Sequence, residues 1–151
     1  MIRVVEDPTE KRAIVRHILE ALPEWFEVEE SREAYIRDSA DRLTVGAFEE
    51  DMPIGFLCLK ETGRETIELA VMGVLKDHHR KGIGRALFEK ARQIAKEQGY
   101  SFMQVKTVAM GYYEDYDLTN LFYQSLGFKE FEVIPTFWDE ANPCQIYVMA
   151  L

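Results

Sequence analysis

Apolar residues change their spacing along the chain in an order that predicts the elements. Ile2, Val4 and Val5 suggest a short opening strand. From Asp7-Pro8 onward the spacing becomes helical, with Ile14, Val15, Ile18, Leu19 and Leu22 on one stripe that stops at Pro23. Residues 31–39, with Tyr35 and Ile36, read as a second short helix. Residues 43–48 and 53–59, joined by a polar turn at 49–52, form a β-hairpin, and a turn at 62–64 leads into a third strand over 67–75. Over 82–98 the apolar positions Ile83, Leu87, Ala91, Ile94 and Ala95 predict the longest helix, closed by a left-handed Gly99. A strand follows at 102–108, then a short helix at 118–126 closed by Gly127, and two last strands at 128–133 and 145–150. One hairpin meander and one strand-helix-strand crossover point to an α+β fold with a mixed, mostly antiparallel sheet of about six to seven strands and about four helices.

The length, 151 residues, suits one domain over 1–151 with a single core. With 18 Lys+Arg against 27 Asp+Glu, the net charge of −9 argues against a nucleic-acid-binding surface, which needs a broad excess of cations. An anionic ligand must therefore be met locally. Cys58 and Cys144 are isolated from other metal-ligand residue types, so reduced, buried thiols are expected, with no metal site. The N-terminus lacks a signal-like apolar segment, and no stretch is apolar enough to span a bilayer. The expectation is a cytoplasmic protein without a membrane partner.

One stretch departs from the acidic average. Between residues 76 and 85, Lys76, Arg80, Lys81 and Arg85 against Asp77 give a local charge of +3, which leaves −12 for the rest. Here a strand enters a basic loop, two glycines (Gly82 and Gly84), and the start of the long helix. The first turn of a helix presents backbone N–H groups without internal partners and the positive end of the macrodipole. Glycines there let a phosphate approach the backbone. The sequence after Gly82-Ile83-Gly84 fits neither a P-loop nor a Rossmann fingerprint, which would place a third glycine at Leu87.

His79-Arg80-Lys81-Gly82-Ile83-Gly84 resembles motif A of the GNAT N-acetyltransferase superfamily, Arg/Gln-x-x-Gly-x-Gly/Ala at a helix start, with His79 departing at the first position. Residues 122–128, FYQSLGF, resemble the family's second signature. The resemblance implies a GNAT-like domain, with acetyl-CoA as co-substrate and its pyrophosphate on the loop from His79, Arg80 and Lys81 through Gly82, Ile83, Gly84 and Arg85. It also implies that Met72, Gly73 and Val74 form a bulge whose freed backbone pairs with the pantetheine arm. A glycine in an apolar strand independently suggests a bulge or a close backbone approach.

By the same resemblance, Tyr123 is the general acid that returns a proton to the departing thiolate, and Glu68 is a general base. The residues alone also allow a packed aromatic at 123 and an outward polar position at 68. An asparagine that the family often carries seven residues before the tyrosine is Tyr116 here, and Asn120, one turn nearer, is assigned its cofactor contact.

Trp25 and Phe26, together with Tyr112, Tyr113 and Asp115, are the acceptor candidates, because aromatics mixed with carboxylates suit a cationic amine. Phe137 and Trp138 either close that pocket or bridge the last strands. The expected function is acetyl transfer from acetyl-CoA directly to an amine, of a small cationic metabolite or a peptide. The alternatives are a non-catalytic acyl-CoA sensor and a phosphate-binding module for another nucleotide. The family is frequently dimeric, so a homodimer is compatible.

Overall fold

The computed structural model describes residues 1–151. Strand β1 (Ile2–Val5) leads into helix α1 (Pro8–Glu20), whose start is set by Asp7: its side chain accepts the Glu10 N–H at 2.8 Å, and Pro8 occupies the first turn. Helix α2 is Glu29–Ser39, and a meander of β2 (Leu43–Glu49), β3 (Met52–Glu61) and β4 (Thr66–Val74) follows. A single 3-10 turn (Lys76–His78) enters α3 (Ile83–Glu97), then come β5 (Phe102–Val108), α4 (Glu114–Ser125), β6 (Lys129–Asp139) and β7 (Asn142–Ala150).

The strands form one seven-stranded sheet in the order β1-β2-β3-β4-β5-β7-β6. Every neighbouring pair is antiparallel except β4 and β5, which α3 connects as a crossover. One face packs α1 and α2 around Ile14, Val15, Ile18, Leu19, Phe56 and Cys58. The other packs α3 and α4 around Leu57, Leu69, Leu87, Phe88, Val105 and Tyr147. Both cysteines are free and buried. No helix is long and apolar enough to cross a membrane.

Several boundaries differ from the periodicity for identifiable reasons. Helices α2 and α4 start at Glu29 and Glu114 rather than at 31 and 118. The extra residues are acidic, and carboxylates in a first turn complement the helix dipole. The first hairpin turn is Glu50-Asp51 alone, with Glu50 at φ 57, as a two-residue hairpin demands. Strand β6 runs well past 133 to Asp139. Its ladder with β7 jumps from Ile134↔Cys144 to Asp139↔Asn142, so residues 135–138 arch out of register. Pro135 has no N–H to give the ladder, consistent with the break.

The expected bulge lies elsewhere. Partners run Leu59↔Leu69 and then Cys58↔Val71, so the extra residue in β4 is Ala70, while Met72, Gly73 and Val74 pair regularly with Leu57, Phe56 and Gly55. Gly73 instead answers a close approach. A Cβ there would lie 2.9 Å from Ile18 Cγ2 and 3.0 Å from Leu22 Cδ1, both held in the α1 core.

Overpacking at that point should be felt. Gly73→Ala is expected to destabilise the fold by about 1–3 kcal/mol in urea denaturation, whereas Gly63→Ala, whose Cβ would meet nothing within 4 Å, should stay within about 0.5 kcal/mol. Equal effects at the two positions would refute the packing role of Gly73.

Candidate functional site

Strands β4 and β5 pair over only four residues, from Thr66↔Phe102 to Leu69↔Val105. Beyond the Ala70 bulge, β4 continues to Val74 on β3 alone, and β5 continues to Val108 on β7 alone. The two strands therefore part for five residues of β4, roughly 16 Å, and leave facing backbone edges without a partner strand. That opening is where the predicted residues collect.

At the β4 end of the opening lies the basic loop. Gly82 caps α3 in the left-handed region (φ 80) with no side-chain cap, and a Cβ on it would meet nothing within 4 Å, so open space lies over the uncapped N–H groups of the first turn. Gly84 has a different role. Its Cβ would come 3.0 Å from the Phe122 ring, so this glycine lets α4 press against α3 and does not open a path to a ligand.

Two of the four cations are engaged within the chain: Lys76 pairs with Glu24, and Arg85 donates to the Ser125 carbonyl at 3.1 Å. Arg80, held at φ 62, and Lys81 remain exposed and unpaired. The two histidines both find partners within the chain. His79 Nε2 donates to the Val74 carbonyl at 2.6 Å and its ring meets Trp25 edge-on at 6.0 Å, while His78 Nε2 faces Glu49 at 3.4 Å.

Tyr123 comes from α4 and is 7% exposed among Phe122, Phe128 and Tyr147. Burial raises its pKa well above the ordinary tyrosine value, with the nearby Tyr35 and Tyr116 adding to the shift. It therefore keeps its proton across the neutral range. Glu68 is 8% exposed, which excludes an outward, solvated position, and it accepts from Lys106 Nζ at 2.5 Å. The Lys106 ammonium lies 5.6 Å from the Phe137 ring, so the out-of-register arch of β6 reaches over the base of the opening. Burial, followed by the charge of Glu68, raises the Tyr35 pKa above the ordinary tyrosine value.

The α1–α2 segment bridges the two sides of the opening. Trp25 donates its indole N–H to the Asp115 carbonyl at 3.4 Å and accepts at its own carbonyl from the Tyr116 hydroxyl at 3.0 Å, and Phe26 meets Tyr35 edge-on at 6.1 Å. Tyr113 packs against Tyr116 at 6.0 Å and reaches the Ala141 carbonyl at 3.4 Å. Trp25, Phe26, Tyr113 and Asp115 are thus brought together, whereas Tyr112 is 56% exposed and apart from them.

The assignment of Asn120 to a cofactor contact is corrected. It is fully buried: its amide donates to the Val108 and Tyr116 carbonyls at 2.8 and 2.7 Å, and its oxygen accepts from Tyr147 at 2.7 Å. Asn120 fastens α4 to β5 and β7. Sequence reading missed Tyr35 and Lys106 as site residues, since each is a lone polar position in an ordinary helix or strand pattern; their only signal is an unusual neighbour in space.

Residues 12–128 match the model of the acetyltransferase (GNAT) family. Among solved structures, a GNAT-family protein from Desulfovibrio desulfuricans aligns with a TM-score of 0.87 at 20% identity, covering 99% of this chain and 98% of that one. The ribosomal-protein-S18-alanine N-acetyltransferase of Escherichia coli aligns with a TM-score of 0.78 at 18% identity (99% and 94% covered). The PaiA N-acetyltransferase of Thermoplasma acidophilum, solved with coenzyme A, aligns with a TM-score of 0.70 at 20% identity (97% and 98% covered). No curated protein matches the sequence.

The buried acids of this region set an alkaline limit on stability. Burial raises the pKa of Tyr123 above 10.0 and that of Cys58 from 9.0 to about 11. The unfolded chain therefore releases these protons first, and the stability they confer is complete below about pH 9 and lost as pH rises through the folded values. Urea midpoints should fall between about pH 9 and 11, with a slope shallower in Tyr123→Phe by up to about 1.4 kcal/mol per pH unit. An unchanged slope in that variant would place the titration elsewhere.

Proposed function

The chain belongs to the acetyltransferase (GNAT) family, and on that premise we propose that it passes the acetyl group of acetyl-CoA directly to an amine, of a small cationic metabolite or a peptide. The observation that carries this reading is the parting of β4 and β5, with the unpaired loop cations at one end, Tyr123 entering from α4, and Glu68 at the base. Acetyl-CoA supplies the acetyl group as a thioester.

Each step then falls to a residue of this chain. Arg80, Lys81 and the first-turn N–H groups of α3 hold the pyrophosphate. The backbone edge of β4 at Met72 and Val74, which has no partner strand on the β5 side, lines the path of the pantetheine arm, although His79 already occupies the Val74 carbonyl. Glu68 takes a proton from the acceptor ammonium, directly or through water, so that the amine attacks the thioester carbonyl. As the new C–N bond forms and the C–S bond breaks, the protonated Tyr123 hydroxyl donates to the departing thiolate, and the second proton of the attacking nitrogen returns to the tyrosinate, directly or through water, while Glu68 releases the first to solvent. Direct transfer is supported by the cysteines, since burial raises both thiols to about 11 and leaves neither as a ready nucleophile. A cationic acceptor is favoured by the aromatics Trp25, Phe26 and Tyr113 and by the neighbouring carboxylates Glu27 and Asp115 on the segments that Trp25 and Tyr116 join.

Isothermal titration should detect acetyl-CoA binding, and no heat at millimolar cofactor would overturn the reading. Removing both loop cations (Arg80→Ala with Lys81→Ala) should weaken that binding by about tenfold with little change in kcat. Tyr123→Phe should instead lower kcat by about 10²-fold or more while cofactor affinity is retained. Parallel loss of affinity and turnover would mark a structural tyrosine.

A further inference from the structure

The base of the opening already holds a primary ammonium, and it is the protein's own. Lys106 extends from β5 to place Nζ 2.5 Å from Glu68 Oε1 and 5.6 Å from the centre of the Phe137 ring. Its carboxylate partner is nearly closed off from solvent, at 11% side-chain exposure. A buried anion beside an aromatic face is the pairing that recognises an alkylammonium group. Lys106 fills this place without saturating it: an ammonium has three donor protons, and Glu68 is the only acceptor this one finds in the chain. A lysine also reaches its partner on a flexible stem of four methylenes, here with 20% of the side chain exposed.

We propose that Glu68 and Phe137 form a subsite for a primary alkylammonium, that Lys106 occupies it in the free protein, and that the acceptor amine displaces Lys106 to reach the thioester. This deepens the acetyltransferase reading and rests on it for the reaction. It names the acceptor as a primary amine at the end of an aliphatic chain, as in a polyamine or a lysine side chain. A quaternary ammonium has no proton for Glu68. A free α-amino acid brings its own carboxylate against Glu68, which like charges oppose, unless Lys106 stays to bind it. Glu27, two residues from Trp25, and Asp115, whose carbonyl Trp25 bonds, offer a second negative region for a distal cation of the same acceptor.

The subsite is tested first without acetyl-CoA. Lys106→Ala removes the equivalent of propylammonium, so propylammonium chloride should raise the unfolding temperature of this variant and level off with concentration, while tetramethylammonium chloride at equal ionic strength should not. The effect should vanish when Glu68→Gln is added. An equal response to both salts, or none to propylammonium, would overturn the proposal; if the alanine variant does not fold, Lys106→Met, which keeps most of the side-chain volume without the ammonium, carries the kinetic test instead.

The second arm is kinetic. With 1,5-diaminopentane as acceptor, loss of the internal competitor should lower KM about fivefold in Lys106→Ala. A higher KM would instead make Lys106 an anchor for an acceptor carboxylate and overturn displacement. Rescue by propylammonium in a chain that turns over no amine would sink the proposed reaction and leave the ammonium subsite standing.

Discussion

The structure depends on where a parallel strand pair stops. Strands β4 and β5 share four residue pairs and then separate, and the cause is visible in β4: Ala70 is an extra residue relative to β3, so the strand bends while its ladder to β3 resumes at Val71. A sheet that pairs fully would bury this backbone in its own ladder. Here the unpaired edges of both strands face one another across an opening, and the helices on the two faces reach it from opposite sides. The parallel geometry places the end of β4 and the start of α3 at the same mouth, so an anion at the helix start and a group lying between the strands belong to one continuous ligand.

The opening is held by contacts that cross it. Glu24 pairs with Lys76, Trp25 meets His79, and Trp25 makes two hydrogen bonds with the start of α4, donating to the Asp115 carbonyl and accepting from the Tyr116 hydroxyl. The α1–α2 segment is thereby tied both to the basic loop and to the helix that carries Tyr123. The basic loop and the aromatic walls of the opening thus share one set of side chains. On the far side, the arch of β6 brings Phe137 over Lys106. Tyr123, Glu68 and the aromatics around Trp25 thus come from elements distant in sequence, around one break in the sheet.

Much of this was legible in the residues because the signals are local. Period and punctuation located all four helices and all seven strands, since burying one face of each element leaves a mark in its own sequence. The basic loop was readable for the same reason: Arg80, Lys81 and Gly82 act through charge and backbone geometry within a few positions of one another. Boundaries failed where acidic first turns at Glu29 and Glu114 looked like polar loops, and where β6 leaves its register after Ile134.

The tertiary structure decided which of several roles each residue has. Gly73 and Gly84 look alike in sequence, but one admits α1 and the other admits Phe122, because steric demand is set by the neighbour and not by the glycine. Asn120 has the chemistry of a ligand contact, yet its amide is consumed by Val108, Tyr116 and Tyr147. Lys106 reads as a strand lysine until the fold sets Glu68 beside it. The sequence by itself determined the family, the order of elements and the basic, glycine-bearing loop at the start of α3, all of which rest on residues adjacent in the chain. Where the sheet opens, and which ammonium faces Glu68, depend on residues 38 apart meeting in space, and only the packing of the whole chain settles that.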